Sequence, residues 1–475
     1  MTDQAGGAWA ELLRRPHLAP LAMLSLGIGL YAFNTFLVAT ALPSAVTEIG
    51  GVALIAWAST LFLVSAIVAG AAGATVKARL GARLGLMLGG GIFLAGTLAC
   101  GLAPTMPVLL LGRALQGAGE GVVAAISYAL IPALFPPRLV TKVFAAEALV
   151  WALAGFAGPV VGGVLTETVS WRAAFLVNVP LAVLFLTLAA VTVPRVAAAP
   201  RMAAPAVAAP LLRLGALAGG ILLIAASSLA GGAVLAAFAV AAGAAVLVGV
   251  VAVDRGRANA LFPRRAFHPG TALGAGLLVV LLMPVAHSFP FVHLTLTLQQ
   301  GWAFSPTVAG VMFAIGPLAW SGAMLVVANI RHPAMPAIGI RFGPVVLAVG
   351  IAGQLVAILA GLPWAMVPFL VATGASFGIG WAFLSMAVMH AAPPGERDRA
   401  AGLVPTVQSA GYAIGAALTG LAATTAGLDG SSPAATVRGY ALVVACGLAP
   451  AVLASWVALR RRDWPVAGPT PPHSD

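Results

Sequence analysis

The sequence predicts an all-α polytopic membrane protein, and three observations lead to this fold class. The chain of 475 residues is 61% hydrophobic and only 8% charged, whereas a soluble domain carries roughly 25% charged residues. Apolar stretches of about 18 residues or more recur along the whole length, and each is long enough to cross a bilayer. They lack the apolar–polar alternation of membrane β-barrels, so helices are predicted, because helices satisfy their own backbone hydrogen bonds in lipid.

Fourteen spans fit these stretches in a 6 + 2 + 6 arrangement, and we number them in chain order. Their approximate ranges are 18–43, 53–76, 84–103, 106–134, 142–165, 173–193, 212–231, 233–253, 271–295, 305–328, 344–362, 364–389, 401–426 and 434–459.

The basic residues predict the topology. Of the 24 Lys and Arg residues, all except Arg113, Arg172 and Arg438 lie near the termini or in every second loop. Cationic residues beside spans stay in the cytoplasm, so both termini are predicted to be cytoplasmic. We expect the chain in a bacterial-type inner (plasma) membrane. The net charge of +12 then reflects topology and contact with an anionic leaflet, and it does not indicate nucleic-acid binding.

Two basic linkers divide the chain into predicted domains. These are an N-terminal six-helix bundle (1–193), cytoplasmic linkers with an inserted two-helix hairpin (194–270), a C-terminal six-helix bundle (271–460) and a cytoplasmic tail (461–475). Two six-helix halves are a transporter architecture, in which the substrate path lies between the halves near the bilayer midplane.

The fourth span carries the most informative residues. In "GRALQGAGEG", Arg113, Gln116 and Glu120 form a polar stripe on one helix face, and Ser127 extends it. A charge in a span costs at least ~2.5–3.5 kcal/mol, so it is expected to face protein or a water-filled cavity. A carboxyl group there can take up and release protons as the cavity changes sides. The alternative is an Arg–Glu pair that joins helices, although about 10.5 Å of helix separates these residues.

Three other titratable residues are candidates. Glu147 lies in the fifth span, and Trp151 follows on the same face; the alternative is an acid paired with Lys142 or Arg138. His287 and His293 lie in the ninth span and can shuttle protons, or each can make a fixed interhelical bond. The remaining acids between the spans are expected to be solvated: Glu48, Glu167, Asp254, Glu396, Asp398 and Asp429.

Aromatic residues within the spans are candidates for a cavity that holds flat apolar or cationic compounds. They are Tyr31, Trp151, Trp320, Trp381 and Phe383. Core packing or lipid contact is the alternative for each of them. The fifth span continues as "AGFAGPVVGG", where Gly158 and Gly162 allow a neighbouring helix to approach closely and Pro159 opens the backbone ladder.

These motifs together resemble the major facilitator superfamily, and within it the fourteen-helix drug:proton antiporters. "GRALQGAGEG" is similar to its fourth-helix motif, and "GPVVGG" (Gly158 to Gly163) to the fifth-helix motif of exporters. "WRAAFLVNVP" matches the start of the sixth helix through Trp171, Arg172, Phe175, Asn178 and Pro180. "LQQGWAFSPTVAG" and "RAAGLVPTVQSAGYAIG" resemble later stretches of the family.

The resemblance implies export of small amphipathic compounds by alternating access, coupled to proton influx. The chain departs from the family at two motifs. "VKARLGAR" keeps Arg79, Gly81 and Arg83 of the gating loop but has Ala78 where an Asp is usual. "FNTFLVATALP" has Asn34 where the first helix usually carries an acid. An amide does not titrate, so we expect Glu120, with Arg113 and Glu147, to carry the proton coupling.

Several functional classes find no support in the sequence. There is no phosphate-binding loop for an ATP-driven pump and no zinc motif for an enzyme, so we expect no enzymatic activity, cofactor or metal. The expected partners are a small-molecule substrate, protons and the lipid bilayer, and we expect a monomer. The candidate substrate-contacting residues are Asn34, Tyr31, Gln116, Trp151, His287, His293, Trp320 and Trp381. A dedicated exporter of one metabolite or siderophore, and an uncoupled facilitator, stay open as alternatives.

Overall fold

The computed structural model describes residues 11–194, 208–255, 257, 260–263, 265–268, 270–330, 332–393, 396–428, 432–461 and 464. Over these ranges the chain forms helices joined by short connections, and it contains no strand. Thirteen of the described helices are long and apolar enough to cross a membrane. The thirteenth predicted span is not among them, but it forms a 29-residue helix, Arg397–Thr425. The predicted fold class is confirmed.

The helices follow the predicted spans in order. The second and third spans form one helix with an internal kink, and the sixth span is made of two consecutive helices. The bounds are Arg15–Ile49, Ile55–Gly101, Met106–Leu134, Pro137–Thr168, Trp171–Leu176 with Asn178–Thr192, Ala208–Ala226, Ala233–Asp254, Ala272–Val292, Pro306–Ala328, Met335–Leu359, Val367–Ala391, Arg397–Thr425 and Pro433–Arg460.

The kink between the second and third spans is located at Gly81. Its φ of 79° and ψ of 164° are non-helical, and a positive φ is accessible to glycine without the steric cost that a Cβ would add. The neighbouring Arg79 is exposed and Arg83 is half-buried. The predicted gating-loop motif therefore lies at the kink, where the helix axis changes direction.

The chain divides into two compact units. The first unit is Met1–Ala218 with Ala303–Ala314, and the second is Gly219–Trp302 with Ile315–Asp475. Apolar side chains such as Phe93, Ile126 and Phe185 form the core of the first unit. Large apolar side chains are also exposed, for example Val191 and Phe238, as expected for helix faces that contact lipid rather than water.

Close backbone packing positions the fourth span against the second. A Cβ atom added to Gly117 would collide with the carbonyl oxygen of Phe62, and one added to Gly121 would collide with that of Ala66. Small residues permit such close helix contacts in membranes. The spacing brings the polar stripe of the fourth span within reach of the second-span backbone.

Candidate functional site

Arg113 is buried inside the first unit and is held by three contacts. Its Nε donates a hydrogen bond to the carbonyl oxygen of Ala58 at 3.2 Å, and its Nη1 donates to Oε1 of Gln116 at 2.7 Å. The guanidinium carbon lies 4.2 Å from the centre of the Phe62 ring, a favourable arrangement for a cation. The guanidinium group therefore links the fourth span to the second.

Gln116 connects this arginine to two further spans. Its Nε2 donates to Oγ1 of Thr97 at 3.0 Å and to Oδ1 of Asn34 at 3.4 Å. Cys100 Sγ lies 3.7 Å from Gln116 Oε1 and donates to it. All of these side chains are buried. The structure therefore joins the predicted residues Asn34, Arg113 and Gln116 in one network, to which Thr97 and Cys100 also belong.

Glu120 lies on the same stripe but outside this network. It is only 1% exposed, and among the described residues neither carboxyl oxygen has a hydrogen-bond partner. Ser127, farther along the stripe, has a buried Oγ that also lacks a partner there. The alternative of a direct Arg113–Glu120 pair is not observed, because Arg113 bonds to Gln116 and Ala58 instead. Burying an unpaired charge is costly, so ionisation of this group depends on whether water reaches it.

Glu147 on the fifth span resembles Glu120 in its surroundings. It is buried, and within the described part of the chain both of its carboxyl oxygens lack a hydrogen-bond partner. The predicted alternative of a Lys142 pair is therefore not seen, and the side chain of Arg138 lies outside the described residues. On the neighbouring fourth span, the Tyr128 ring stacks on Phe144 of the fifth span at 6.1 Å.

Aromatic rings from three spans meet around Tyr31. Its ring centre lies 5.4 Å from that of Phe62 and 5.7 Å from that of Trp151. Trp151 also contacts Phe36 at 6.4 Å, and about a third of its surface is exposed. The Phe62 ring is also the one that Arg113 contacts. Two predicted cavity residues, Tyr31 and Trp151, thus lie together beside the polar stripe.

The glycines of the fifth span pack against the first span. A Cβ atom on Gly158 would lie 2.9 Å from Cβ of Phe36, and one on Gly162 would lie 2.7 Å from the carbonyl oxygen of Leu37. A Cβ atom on Gly163 would lie 2.5 Å from the carbonyl oxygen of Pro306, in the stretch of the tenth span that belongs to this unit. Pro159 lies within the helix, which runs on to Thr168.

The start of the sixth span is held by Glu48 at the end of the first. Trp171 Nε1 donates to Glu48 Oε2 at 2.7 Å, and Arg172 forms an ion pair with the same carboxylate. Arg172 also donates to the carbonyl oxygen of Ala103 at 3.2 Å. Asn178 is buried and donates to the carbonyl oxygen of Phe175, whereas Pro180 is exposed.

Three acids that were expected to be solvated have protein partners. Asp254 is fully buried and accepts hydrogen bonds from the backbone nitrogens of Leu261 at 2.9 Å and Phe262 at 2.8 Å, so the expectation was wrong for this residue. Glu48 and Glu167 are exposed, but Glu48 binds the sixth span as described above. Glu167 accepts a hydrogen bond from the backbone nitrogen of Thr307 at 3.1 Å.

The remaining predicted residues lie in the second unit. His293 is buried, and its Nδ1 has no hydrogen-bond partner among the residues that the structure describes. His287, Trp320 and Trp381 are half-buried, and rings of neighbouring spans surround them. Phe383 contacts the eleventh span, since its Cδ2 would lie 3.0 Å from a Cβ atom on Gly339.

Comparison with known proteins agrees with this architecture. A Mycobacterium tuberculosis protein named "probable multidrug-efflux transporter" is 32% identical over 473 residues, covering 97% of this chain and 99% of that protein. Multidrug resistance protein 3 of Bacillus subtilis is 33% identical over 167 residues, covering 34% of this chain and 32% of that protein.

Solved structures share the fold at low sequence identity. A D-xylose–proton symporter has a TM-score of 0.61 at 15% identity and covers 92% of this chain and 97% of its own. The POT family transporter PepTSo has a TM-score of 0.64 at 14% identity, with 95% of this chain and 99% of its own covered. The profile of the Major Facilitator Superfamily matches residues 24–416. From this match, the shared fold and the full-length relative, we conclude that the chain belongs to the major facilitator superfamily of transporters.

Proposed function

We propose that this transporter exports small amphipathic compounds in exchange for protons, and that Glu120 is the group that carries the proton. The main support for this proposal is that the carboxyl group of Glu120 is buried on a transmembrane helix and has no hydrogen-bond partner within the described ranges. A buried acid in a span is a typical proton-relay group of transporters. The relatives named as a probable multidrug-efflux transporter and a multidrug resistance protein support the substrate class.

In this proposal Arg113 and Glu147 assist the coupling. Arg113 fixes the fourth span through Gln116 and Ala58, and its charge acts on Glu120 electrostatically. Glu147 offers a second buried carboxyl group without a hydrogen-bond partner in the described part. Protonation of either carboxyl group removes the cost of an unpaired buried charge, which ties proton uptake to the exposure of the site to water.

Substrate contact is proposed for residues in both predicted six-helix halves, 1–193 and 271–460, whose movements would expose a binding site alternately to each side. Asn34, Tyr31, Gln116 and Trp151 belong to the first half. His287, His293, Trp320 and Trp381 belong to the second half. We propose that three motifs guide these movements. They are the loop residues Arg79, Gly81 and Arg83, the fifth-span residues Gly158, Pro159, Gly162 and Gly163, and the sixth-span residues Trp171, Arg172, Asn178 and Pro180.

One observation favours a second candidate function. Asn34 occupies the position at which the family usually carries an acid, and its Oδ1 accepts a hydrogen bond from Gln116 rather than a proton. If no other residue replaced that acid, the protein would be an uncoupled facilitator. A dedicated exporter of one metabolite or siderophore uses the same machinery and differs only in the range of compounds transported.

Flux measurements in liposomes separate these functions. The purified protein is reconstituted into weakly buffered vesicles that contain a pH-sensitive dye, and a gradient of ethidium is imposed. Antiport predicts that protons move opposite to ethidium and that an imposed pH gradient drives ethidium uphill. Ethidium flux without proton movement would contradict the coupling and favour the facilitator. A panel of amphipathic compounds then distinguishes a broad exporter from a dedicated one.

A further inference from the structure

A continuous set of aromatic rings lies within the second unit. Phe377 of the twelfth span is at its centre and is fully buried. Its ring stacks on Trp320 of the tenth span at 4.9 Å and lies 5.5 Å from Trp381 and 5.4 Å from His287 of the ninth span. Two further rings contact His287, those of Phe291 at 4.9 Å and Tyr412 at 6.1 Å. We call these residues the ring cluster.

Part of the surface of the ring cluster is exposed. Around the buried Phe377, the other members are only half-buried. Trp320 and Trp381 lie 6.4 Å apart with an interplanar angle of 59°, so the two indole planes are inclined to each other. Aromatic faces and edges bind other rings by stacking or edge contacts. Such a surface favours flat aromatic molecules over bulky, non-planar ones.

His287 adds a polar group to this apolar surface. Its Nδ1 is buried and has no hydrogen-bond partner among the described residues. In the imidazole tautomer with its proton on Nε2, Nδ1 is an acceptor. Leaving such an atom unpaired is costly, and a bound donor would remove that cost. A ligand that stacks on the rings and donates a hydrogen bond satisfies both features of the cluster.

The ninth span is irregular close to this histidine. It contains Pro284 and Pro290, and beyond His293 it continues into a π-helical turn, Thr297–Gly301. Interrupted helices and π-turns are frequent at the binding sites of membrane proteins. This irregularity is independent of the ring contacts, and it occurs on the span that carries both histidines.

The charges of the chain separate this region from the coupling site. Between residues 255 and 395 the sequence contains no Asp or Glu, so no acidic residue takes part in the ring cluster. The buried acids Glu120 and Glu147 belong to the first unit. Recognition by the ring cluster therefore depends on ring faces, which also attract cations, and on one ring nitrogen.

We propose that the ring cluster of the second unit selects planar aromatic compounds that carry a hydrogen-bond donor, with Phe377 as a positioning residue and His287 Nδ1 as the acceptor. This inference rests on the proposed export function and names the class of compound exported. Selection among planar compounds then depends on the second unit, whereas the carboxyl groups proposed for proton coupling belong to the first.

Binding to the purified full-length protein in lipid nanodiscs tests the selection. Three cations serve as probes: ethidium is planar with amino donors, pyrenylmethyl-trimethylammonium is planar without donors, and tetraphenylphosphonium is non-planar. We expect Phe377→Leu to weaken both planar probes roughly tenfold, the size of a lost aromatic contact of about 1–1.5 kcal/mol, and to change tetraphenylphosphonium less than twofold. Phe377→Tyr keeps the ring and is expected to retain planar selectivity. Phe369→Leu, on the same helix but packed against Gly353 of the eleventh span, is the matched control.

The histidine is tested by His287→Phe, which keeps an aromatic ring and removes the nitrogen. Ethidium affinity is expected to fall about tenfold, whereas pyrenylmethyl-trimethylammonium affinity stays within twofold. Equal losses for all three probes in either variant, or no binding of planar probes by the wild type, would overturn the inference. The proposed function fails separately, if ethidium or any other exported compound moves without protons in the vesicle assay.

Discussion

At the scale of single residues, Gln116 connects the buried polar side chains around the polar stripe through hydrogen bonds. Its side chain accepts from Arg113 at 2.7 Å and donates to Thr97 at 3.0 Å and to Asn34 at 3.4 Å. These bonds satisfy groups that are buried away from water. They also leave Glu120 as the acid of the stripe that lacks a hydrogen-bond partner in the described residues.

Replacing Gln116 is expected to destabilise the protein. Gln116→Leu has a similar volume but leaves the Arg113 Nη1 donor and the Thr97 hydroxyl without this partner, and an unpaired buried polar group costs about 1–3 kcal/mol, more when it is charged. The expected result is a clearly lower thermal unfolding temperature in detergent. Thr97→Val, which removes only a neutral hydroxyl, is expected to lower it less. Equal unfolding temperatures for wild type and Gln116→Leu would show that the network adds little stability.

A rescue variant tests whether Glu120 replaces the usual first-helix acid. Glu120→Gln is expected to abolish pH-driven transport, and adding Asn34→Asp is expected to restore part of it. The reason is that residue 34 is buried and bonded to Gln116, so an acid there would supply a second buried carboxyl group, next to the network that holds Arg113. Uptake driven by an imposed pH gradient in vesicles measures the effect. A double variant as inactive as Glu120→Gln, yet folded, would mean that the two positions are not equivalent.

At the scale of helices, the contact between the first and fifth spans depends on residues without side chains. Gly158 and Gly162 lie so close to Phe36, Leu37 and Thr40 that a methyl group at either glycine would lie within 3 Å of their atoms. Since the Asn34 and Tyr31 side chains are carried by the first span and Glu147 by the fifth, this contact fixes their spacing.

Gly162→Ala is therefore expected to displace the fifth span and to reduce transport strongly. The added methyl group would meet the Leu37 carbonyl oxygen at 2.7 Å, and helix backbones yield less easily than flexible side chains. Substrate efflux by intact cells, normalised to the amount of protein in the membrane, measures the loss. Gly91→Ala is the control, because a methyl group there meets no atom within 4 Å. Equal efflux by both variants would argue against a functional helix contact.

The sequence allowed correct predictions of helices and of residue patterns that repeat within one helix. The polar stripe of the fourth span and the close-packing glycines of the fifth are periodic within one helix, and the structure contains both. Contacts between distant positions had no such signal. Asn34 and Gln116 are 82 residues apart, and Glu48 and Arg172 are 124 apart. Asp254 appeared to lie in a solvated loop, because nothing local indicated that the following backbone folds back onto its carboxylate.

At the scale of the whole molecule, the chain is a multi-pass protein of the bacterial inner membrane. Its spanning helices and its family membership agree on this location. The buried carboxyl groups of Glu120 and Glu147 belong to the first unit, whereas the ring cluster belongs to the second. The acids proposed for coupling and the rings proposed for selectivity are therefore carried by different units, although substrate contact is proposed for both.

The central claim is that the carboxyl group of Glu120 couples proton movement to export, and transport by two variants in the same vesicles tests it most directly. Exchange of labelled for unlabelled ethidium at equal pH needs no net proton transfer, whereas uphill movement driven by a pH gradient does. We predict that Glu120→Gln retains exchange but loses pH-driven transport, and that Glu120→Asp keeps both. Full pH-driven transport by the Gln variant would contradict the account.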